Sequence, residues 1–88
     1  MTETLNGRHI VVTGGTGALG GAVVGRLLEQ GAICHVPNAH AAAPPHFPYA
    51  AHASVHLAHN VDLSDSAKVE AFYHQLPDLW ASIHLAGG

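Results

Sequence analysis

Three glycines near the N-terminus have the spacing and flanking sequence of a loop that can hold phosphate groups. Gly14, Gly17 and Gly20 form the pattern G-x-x-G-x-x-G. A short β-branched run over 9–12 predicts a strand before them, and an apolar periodicity predicts a helix after them. Glycines at these positions allow a tight turn, close approach of a pyrophosphate and close helix–strand packing, while the first helical N–H groups face the phosphates. The loop therefore predicts a dinucleotide-binding site.

The helix after the loop is predicted from apolar residues at three- and four-residue spacing, namely Leu19, Val23, Val24, Leu27 and Leu28. Gly31 is placed to end this helix. The same glycine pattern also occurs in turns that bind no ligand, but the strand before and the helix after favour binding. We expect the dinucleotide to contact Gly14, Thr16, Gly17, Ala18, Leu19 and Gly20.

The stretch after the helix predicts one strand and a long loop. A second strand is predicted over 32–36, and Pro37 ends it because proline has no N–H to donate to the ladder. Residues 38–54 are rich in proline, alanine and histidine, and this composition predicts a loop rather than a regular helix.

The last third of the chain predicts a further strand, a helix and another strand. The third strand spans 55–61, and the helix after it has Ser64 as its N-cap and Asp65 in its first turn. A fourth strand lies within 79–88. Joined by right-handed crossovers, these elements predict an α/β fold with a partial, Rossmann-type, doubly wound parallel sheet in the strand order 3-2-1-4.

Composition limits the classes of function. The chain has 88 residues, 48% of them hydrophobic, which predicts one small domain. No run approaches the roughly 18 apolar residues of a membrane span. Three basic residues against six acidic ones, with no basic cluster, exclude nucleic-acid binding through counterion release. The N-terminus lacks a secretory pattern, so we expect a cytoplasmic protein.

Histidines are unusually frequent, with nine in the chain, and four of them lie within the segment 46–59. We predict no metal site there, because His56 and His59 are expected to share a strand and point to opposite faces. No cysteine or carboxylate supplies a usual ligand spacing either. The cluster, His46, His52, His56 and His59, is predicted to be solvated or at the edge of the core. Cys34 is predicted to be a buried, reduced thiol without chemistry.

Three short motifs occur in the order that a known superfamily shows. They are the glycine loop after Thr13, Asp62-Leu63 after the third strand, and His84-Leu85-Ala86-Gly87 after the fourth. Over essentially its whole length the chain resembles the N-terminal half of a short-chain dehydrogenase/reductase (SDR). The single-domain branch of that superfamily commonly has glycine where this chain has Ala18, so the spacing is closer to the epimerase-like branch. The resemblance implies that residues 1–88 form an NAD(P)-binding half-domain of a longer enzyme.

The resemblance also implies roles for residues beyond the glycine loop. Asp62, with Leu63, looks like the acidic residue that hydrogen-bonds the adenine amino group, although a turn carboxylate ahead of a helix has a structural explanation as well. Ala86 and Gly87 let the backbone pass close to the cofactor ribose. The two asparagines that precede them in the superfamily are replaced here, so their roles are not carried over.

The choice between NAD and NADP depends on the end of the second strand, where this chain has Asn38. An acidic residue there binds the ribose 2′-hydroxyl of NAD, and a nearby arginine accepts the 2′-phosphate of NADP. Asn38 can bond a hydroxyl but carries no charge. Because no Arg or Lys lies between residues 27 and 67 and His40 is the only nearby cation candidate, the sequence favours NAD.

The resemblance implies an NAD(P)-dependent oxidoreductase that transfers hydride between the cofactor and a small carbonyl or alcohol substrate. The superfamily's Tyr-x-x-x-Lys is absent, because Tyr49 and Tyr73 precede Ala53 and Pro77 at that spacing, and we assign no catalytic residue. Two alternatives stay open, a non-catalytic nucleotide-binding module and an epimerase or dehydratase of the same superfamily. We expect the chain alone to be inactive and to form a homo-oligomer through the open edge of its fourth strand.

Overall fold

A computed structural model of the protein describes residues 5–42, 45 and 47–85. Within this part of the chain the elements are β1 (His9–Thr13), α1 (Ala18–Glu29), β2 (Ile33–Pro37), β3 (Val55–Ala58), α2 (Ser66–His74) and β4 (Ala81–His84). The four strands form one parallel sheet in the order β3-β2-β1-β4. The predicted Rossmann-type fold and its strand order are confirmed.

The sheet carries an apolar core on each face, because successive side chains of a strand point to opposite sides. On the face covered by α1, Ile10 and Val12 of β1 join a cluster that also contains Val24, Ala32, Cys34, Val36, Phe47 and Val55. On the face covered by α2, Val11 packs with Val61 and Phe72. One helix on each face leaves the carboxyl ends of all four strands at a common edge.

The end of α1 and the buried cysteine follow the predictions. Gly31 has φ 83°, and its N–H donates to the carbonyl of Leu28 at 3.0 Å, which closes the helix. Cys34 is fully buried, and burial raises the pKa of its thiol to about 11. The thiol is therefore protonated over the physiological range, as expected for a packing residue.

The two strands that follow α1 differ from prediction at their ends. β2 includes Pro37, and pairing continues past it because the N–H of Asn38 donates to the carbonyl of Ala58 at 2.8 Å. β3 ends at Ala58 rather than at residue 61, since Asn60 adopts φ 61° and turns the chain. His59 therefore lies outside the strand, and the prediction that it shares β3 with His56 is wrong.

Helix α2 begins one residue later than predicted, at Ser66. Its N-cap is Asp65, whose carboxylate accepts from the N–H groups of Ala67 at 3.0 Å and Lys68 at 3.3 Å. Ser64 is not the cap, because its hydroxyl donates to Asp62 instead. The carboxylate of the next residue, Asp65, caps the free N–H groups instead.

Strand β4 forms an edge of the sheet, and Ile83 and Leu85 pack against the α1-face core. Both side chains are partly buried, and the backbone edge of β4 is open to another chain. None of the helices in the described residues is long and apolar enough to cross a membrane.

Candidate functional site

The turn between β1 and α1 depends on close contacts that only small residues allow. Gly14 has φ 75°, a left-handed conformation that favours glycine. A Cβ on Gly14 would lie 2.8 Å from the carbonyl oxygen of Leu85, and a Cβ on Gly15 would lie 2.9 Å from Cγ1 of Val36. The turn therefore lies directly against the segment that follows β4.

Gly20 brings the first turn of α1 onto this loop. A Cβ on Gly20 would overlap the carbonyl oxygen of Gly14 and lie 2.5 Å from the carbonyl carbon of Gly15. Because Gly20 faces the loop, its neighbour Leu19 points outwards and is 65% exposed. Leu19 therefore lies outside the buried face of α1, although its spacing fits the apolar periodicity that predicted the helix.

Gly17 is the N-cap of α1 and has extended backbone, with φ −75° and ψ 177°. Its N–H donates to Gly14 at 3.2 Å, and its carbonyl accepts from Gly21 at 2.8 Å. The first N–H groups of a helix, which here begins at Ala18, have no intrahelical partner, and no side chain caps this one. A cradle of glycine backbone beneath uncapped N–H groups fits the oxygens of a pyrophosphate.

A crevice of about 280 Å³ opens beside the loop, between α1 and the turn around Pro48. Its lining comprises Thr16, Gly17, Gly21, Ala22, Phe47, Pro48 and Tyr49. The hydroxyl of Tyr49 approaches the helix at Gly25, where an added Cβ would lie 2.5 Å from it. The small residues of α1 therefore let the turn around Pro48 pack closely against the helix. Thr16 borders both the glycine loop and the crevice.

Asn38 lies at the carboxyl end of β2, as predicted, but its side chain is engaged within the protein. It is 3% exposed, and its Nδ2 donates to the carbonyl of Ala42 at 2.9 Å and contacts Nδ1 of His59 at 3.3 Å. Its Oδ1 accepts from the N–H of His40 at 3.4 Å. Asn38 therefore joins the segments that follow β2 and β3.

Asp62 lies at the neighbouring strand end, with Leu63 beside it and largely exposed. The hydroxyl and N–H of Ser64 donate to Oδ1 of Asp62 at 2.7 and 2.9 Å. These bonds, the hydroxyl first and with a smaller contribution from the charge of Lys68, lower the pKa of the Asp62 carboxyl. Asp62 is thus an ionised acceptor at the sheet edge, and both of these bonds from Ser64 are made to Oδ1.

A hydrogen bond between Thr13 and His84 joins the ends of β1 and β4, and sequence reasoning missed it. The Thr13 hydroxyl lies 3.1 Å from Nδ1 of His84, and Nε2 of His84 lies 3.1 Å from the hydroxyl of Ser82. The spacing of Ser82 and His84 by two residues within a strand was the available signal, since it places both on one face.

A second unpredicted feature is a row of stacked imidazoles across the sheet. His35 lies between His9 and His56, with ring centroids 5.1 Å from each. Nδ1 of His9 and Nε2 of His35 are hydrogen-bonded at 2.9 Å. Burial first, and then the charges of His56 and His9, lower the pKa of His35 to about 4. His35 is therefore a core residue that stays neutral.

Some predicted positions fall outside the described residues, namely His46, Ala86 and Gly87. Within the described part of the chain, no three His, Cys, Asp or Glu side chains gather closely enough to hold a metal ion. The glycine loop, Asn38 and Asp62 do converge on the carboxyl edge of β1, β2 and β3.

The fold and the β1–α1 turn define a Rossmann-type α/β protein. The model of the NAD dependent epimerase/dehydratase family matches residues 10–88, and the chain belongs to that family. This family is a part of the extended SDR superfamily, so the resemblance predicted from the sequence holds at the level of the superfamily. No curated protein matches the chain by sequence.

Solved structures of other proteins share the fold. The epimerase Mth375 from Methanothermobacter thermautotrophicus is similar with a TM-score of 0.74 and 22% identity over 98% of this chain and 24% of that chain. WbmF from Bordetella bronchiseptica in complex with NAD⁺ and UDP has a TM-score of 0.70 and 25% identity over 97% of this chain and 24% of its own. WbmF in complex with NAD⁺ has a TM-score of 0.68 and 27% identity over 92% and 23%. The chain thus spans about a quarter of the length of these proteins.

Proposed function

We propose that residues 1–88 supply the NAD-binding half of a larger NAD-dependent enzyme. The observation that carries the proposal is the contact of Gly20 with the Gly14 turn, which places the uncapped N-terminus of α1 over a backbone cradle. In this arrangement a pyrophosphate accepts hydrogen bonds from the backbone N–H groups of Ala18 and Leu19 and lies against the backbone of Gly17. The NAD⁺ complexes of WbmF support the assignment by similarity.

The other contacts follow from the positions of the strand ends. Asp62 accepts from the adenine amino group, and Leu63 offers an exposed apolar surface beside the ring. The ribose lies near Asn38, which acts by shaping the edge rather than through a free amide. Ala86 and Gly87 border the second ribose. These roles are the ones implied by the resemblance to the SDR superfamily.

The preference for NAD over NADP rests on the absence of Arg and Lys between residues 27 and 67. One cation does reach this edge of the sheet, since Nζ of Lys68 donates to the carbonyl of Asn60 at 3.5 Å. Titrations with NAD and with NADP therefore measure how much the charge of Lys68 improves binding of the 2′-phosphate. Lys68→Met is expected to widen the preference for NAD.

For the whole enzyme we propose epimerase or dehydratase chemistry on an alcohol or carbonyl substrate, favoured by the family and by Ala18 in the loop. A simple carbonyl–alcohol oxidoreductase is the second candidate, because the same cofactor half serves both. NAD when bound supplies reversible hydride acceptance. This chain binds and orients it, but without a Tyr-x-x-x-Lys it turns over no substrate. We also propose that the whole enzyme is cytoplasmic and forms a homo-oligomer.

The test maps NAD onto the protein by amide NMR. Saturable shifts at Gly14, Gly17 and Leu19, together with Asp62, are expected as NAD is added. ADP-ribose, which lacks nicotinamide, is expected to shift the same amides. Shifts confined to α2 residues such as Val69 and His74, or no saturable response, would contradict the proposal.

A further inference from the structure

Four side chains form a continuous series of hydrogen bonds between α2 and the end of β1. The hydroxyl of Tyr73 lies 3.1 Å from that of Ser82, and the Ser82 hydroxyl lies 3.1 Å from Nε2 of His84. Nδ1 of His84 then lies 3.1 Å from the hydroxyl of Thr13. The Thr13 hydroxyl also lies 3.4 Å from the carbonyl oxygen of Ile83, which can only accept a hydrogen bond.

The direction of these bonds follows from the one to Ile83 when Thr13 donates its proton there. A hydroxyl has one proton, so Thr13 in that arrangement accepts from His84. Neutral His84 then carries its proton on Nδ1, and its Nε2 is an acceptor. Ser82 then donates to Nε2, and Tyr73 donates to Ser82.

The end point of this series lies beside the phosphate loop. Thr13 directly precedes Gly14, and its carbonyl accepts from the N–H of Leu85 at 3.1 Å. The carbonyl oxygen of Leu85 in turn lies against Gly14. Thr13 is 7% exposed, so its bond to His84 is shielded, whereas Ser82 and His84 are exposed. The Thr13 bond is thus the strongest link, because it is the least exposed to competing water.

We propose that His84 is a positioning residue for dinucleotide binding, held as its Nδ1–H tautomer by Ser82 and Tyr73, and that it aligns the Gly14 turn through Thr13. The expected effect of His84 on NAD affinity rests on the proposed function. The tautomer itself does not depend on any ligand.

The first test reads the tautomer of His84 from its imidazole ¹⁵N shifts in the ligand-free protein, at alkaline pH where imidazoles are neutral. The Nδ1–H form is expected. Thr13→Val preserves shape and removes the acceptor, so the population is expected to move toward Nε2–H. Tyr49→Phe, which removes a hydroxyl outside the series, is the control and is expected to change nothing. A dominant Nε2–H form in the unsubstituted protein would overturn the proposal.

The second test distinguishes the hydrogen bond at Nδ1 of His84 from the one at Nε2. His84→Asn places an amide N–H where Nδ1 lies and keeps the link to Thr13, whereas His84→Gln reaches only toward Ser82. We expect NAD affinity to stay within about twofold in His84→Asn and to fall about 3- to 10-fold in His84→Gln, the range for one lost hydrogen bond. Equal losses in both variants would overturn the positioning role. If the unsubstituted protein does not bind NAD, that result counts against the proposed function alone. The tautomer measurement, which needs no ligand, then tests the hydrogen-bond series by itself.

Discussion

Gly20 lies in direct contact with the carbonyl group of Gly14, although six positions separate them in the chain. The contact closes the β1–α1 turn and sets how closely the helix approaches the first strand. Both partners at this point are backbone atoms, which cannot move aside as a flexible side chain can. The glycine is therefore required by the fold as well as by any ligand.

A methyl group at Gly20 is expected to destabilise the protein. Gly20→Ala inserts a Cβ 2.5 Å from the carbonyl carbon of Gly15, an overpacking that costs about 1–3 kcal/mol. Gly21→Ala is the matched control, because a Cβ there meets nothing within 4 Å and the substitution favours helix by about 0.5–1 kcal/mol. Urea unfolding measures both. A Gly20→Ala protein as stable as Gly21→Ala would show that the turn relaxes freely.

Removal of the α2 N-cap is expected to cost about 1 kcal/mol. Asp65→Ala leaves the N–H groups of Ala67 and Lys68 without their acceptor. Ser64→Ala is predicted to affect the helix less, since Ser64 bonds Asp62 rather than the helix N-terminus. The free energies of unfolding from urea titrations decide between them, and a larger loss in Ser64→Ala would restore Ser64 as the cap.

The main elements of the fold were predictable from local patterns, and the local details were not. The apolar run of β1, the periodicity of α1 and the stop at Gly31 each need only neighbouring residues, and the crossover rule then orders the strands. The N-cap of α2 was misplaced because Ser64 and Asp65 are both good caps by type. The choice between them depends on Asp62, which takes the Ser64 hydroxyl.

In the candidate site, too, local patterns predicted some features and missed others. The glycine spacing predicted the turn, but the engagement of Asn38 depends on His59 and Ala42, which a long proline-rich loop brings to it. The bond between Thr13 and His84 spans 71 positions in the chain. Such partners are set by strand pairing, which single-residue patterns do not report.

The buried imidazole His35 is expected to make the protein sensitive to acid. Its folded pKa is lowered to about 4, whereas an unfolded histidine titrates near 6.5. Its contribution to stability is therefore complete above about pH 6.5 and is lost as the pH falls toward 4. NMR titration of the imidazole measures the midpoint directly. His56→Ala removes a neighbouring charge and is expected to raise that midpoint, while a midpoint near 6.5 in the unsubstituted protein would contradict the burial of His35.

The proposed binding of the NAD pyrophosphate by the glycine loop is tested by calorimetric titration with NAD. The unsubstituted protein is compared with the Gly17→Val variant. Gly17 has extended backbone, φ −75° and ψ 177°, which valine adopts, so the variant is expected to remain folded while its branched Cβ occupies the space of the pyrophosphate. Circular dichroism checks the fold, and Gly21→Ala is the binding control. Saturable binding is expected for the unsubstituted protein and for Gly21→Ala, and none for Gly17→Val. Equal NAD affinity in a folded Gly17→Val protein, or no binding by the unsubstituted protein, would contradict the proposed binding.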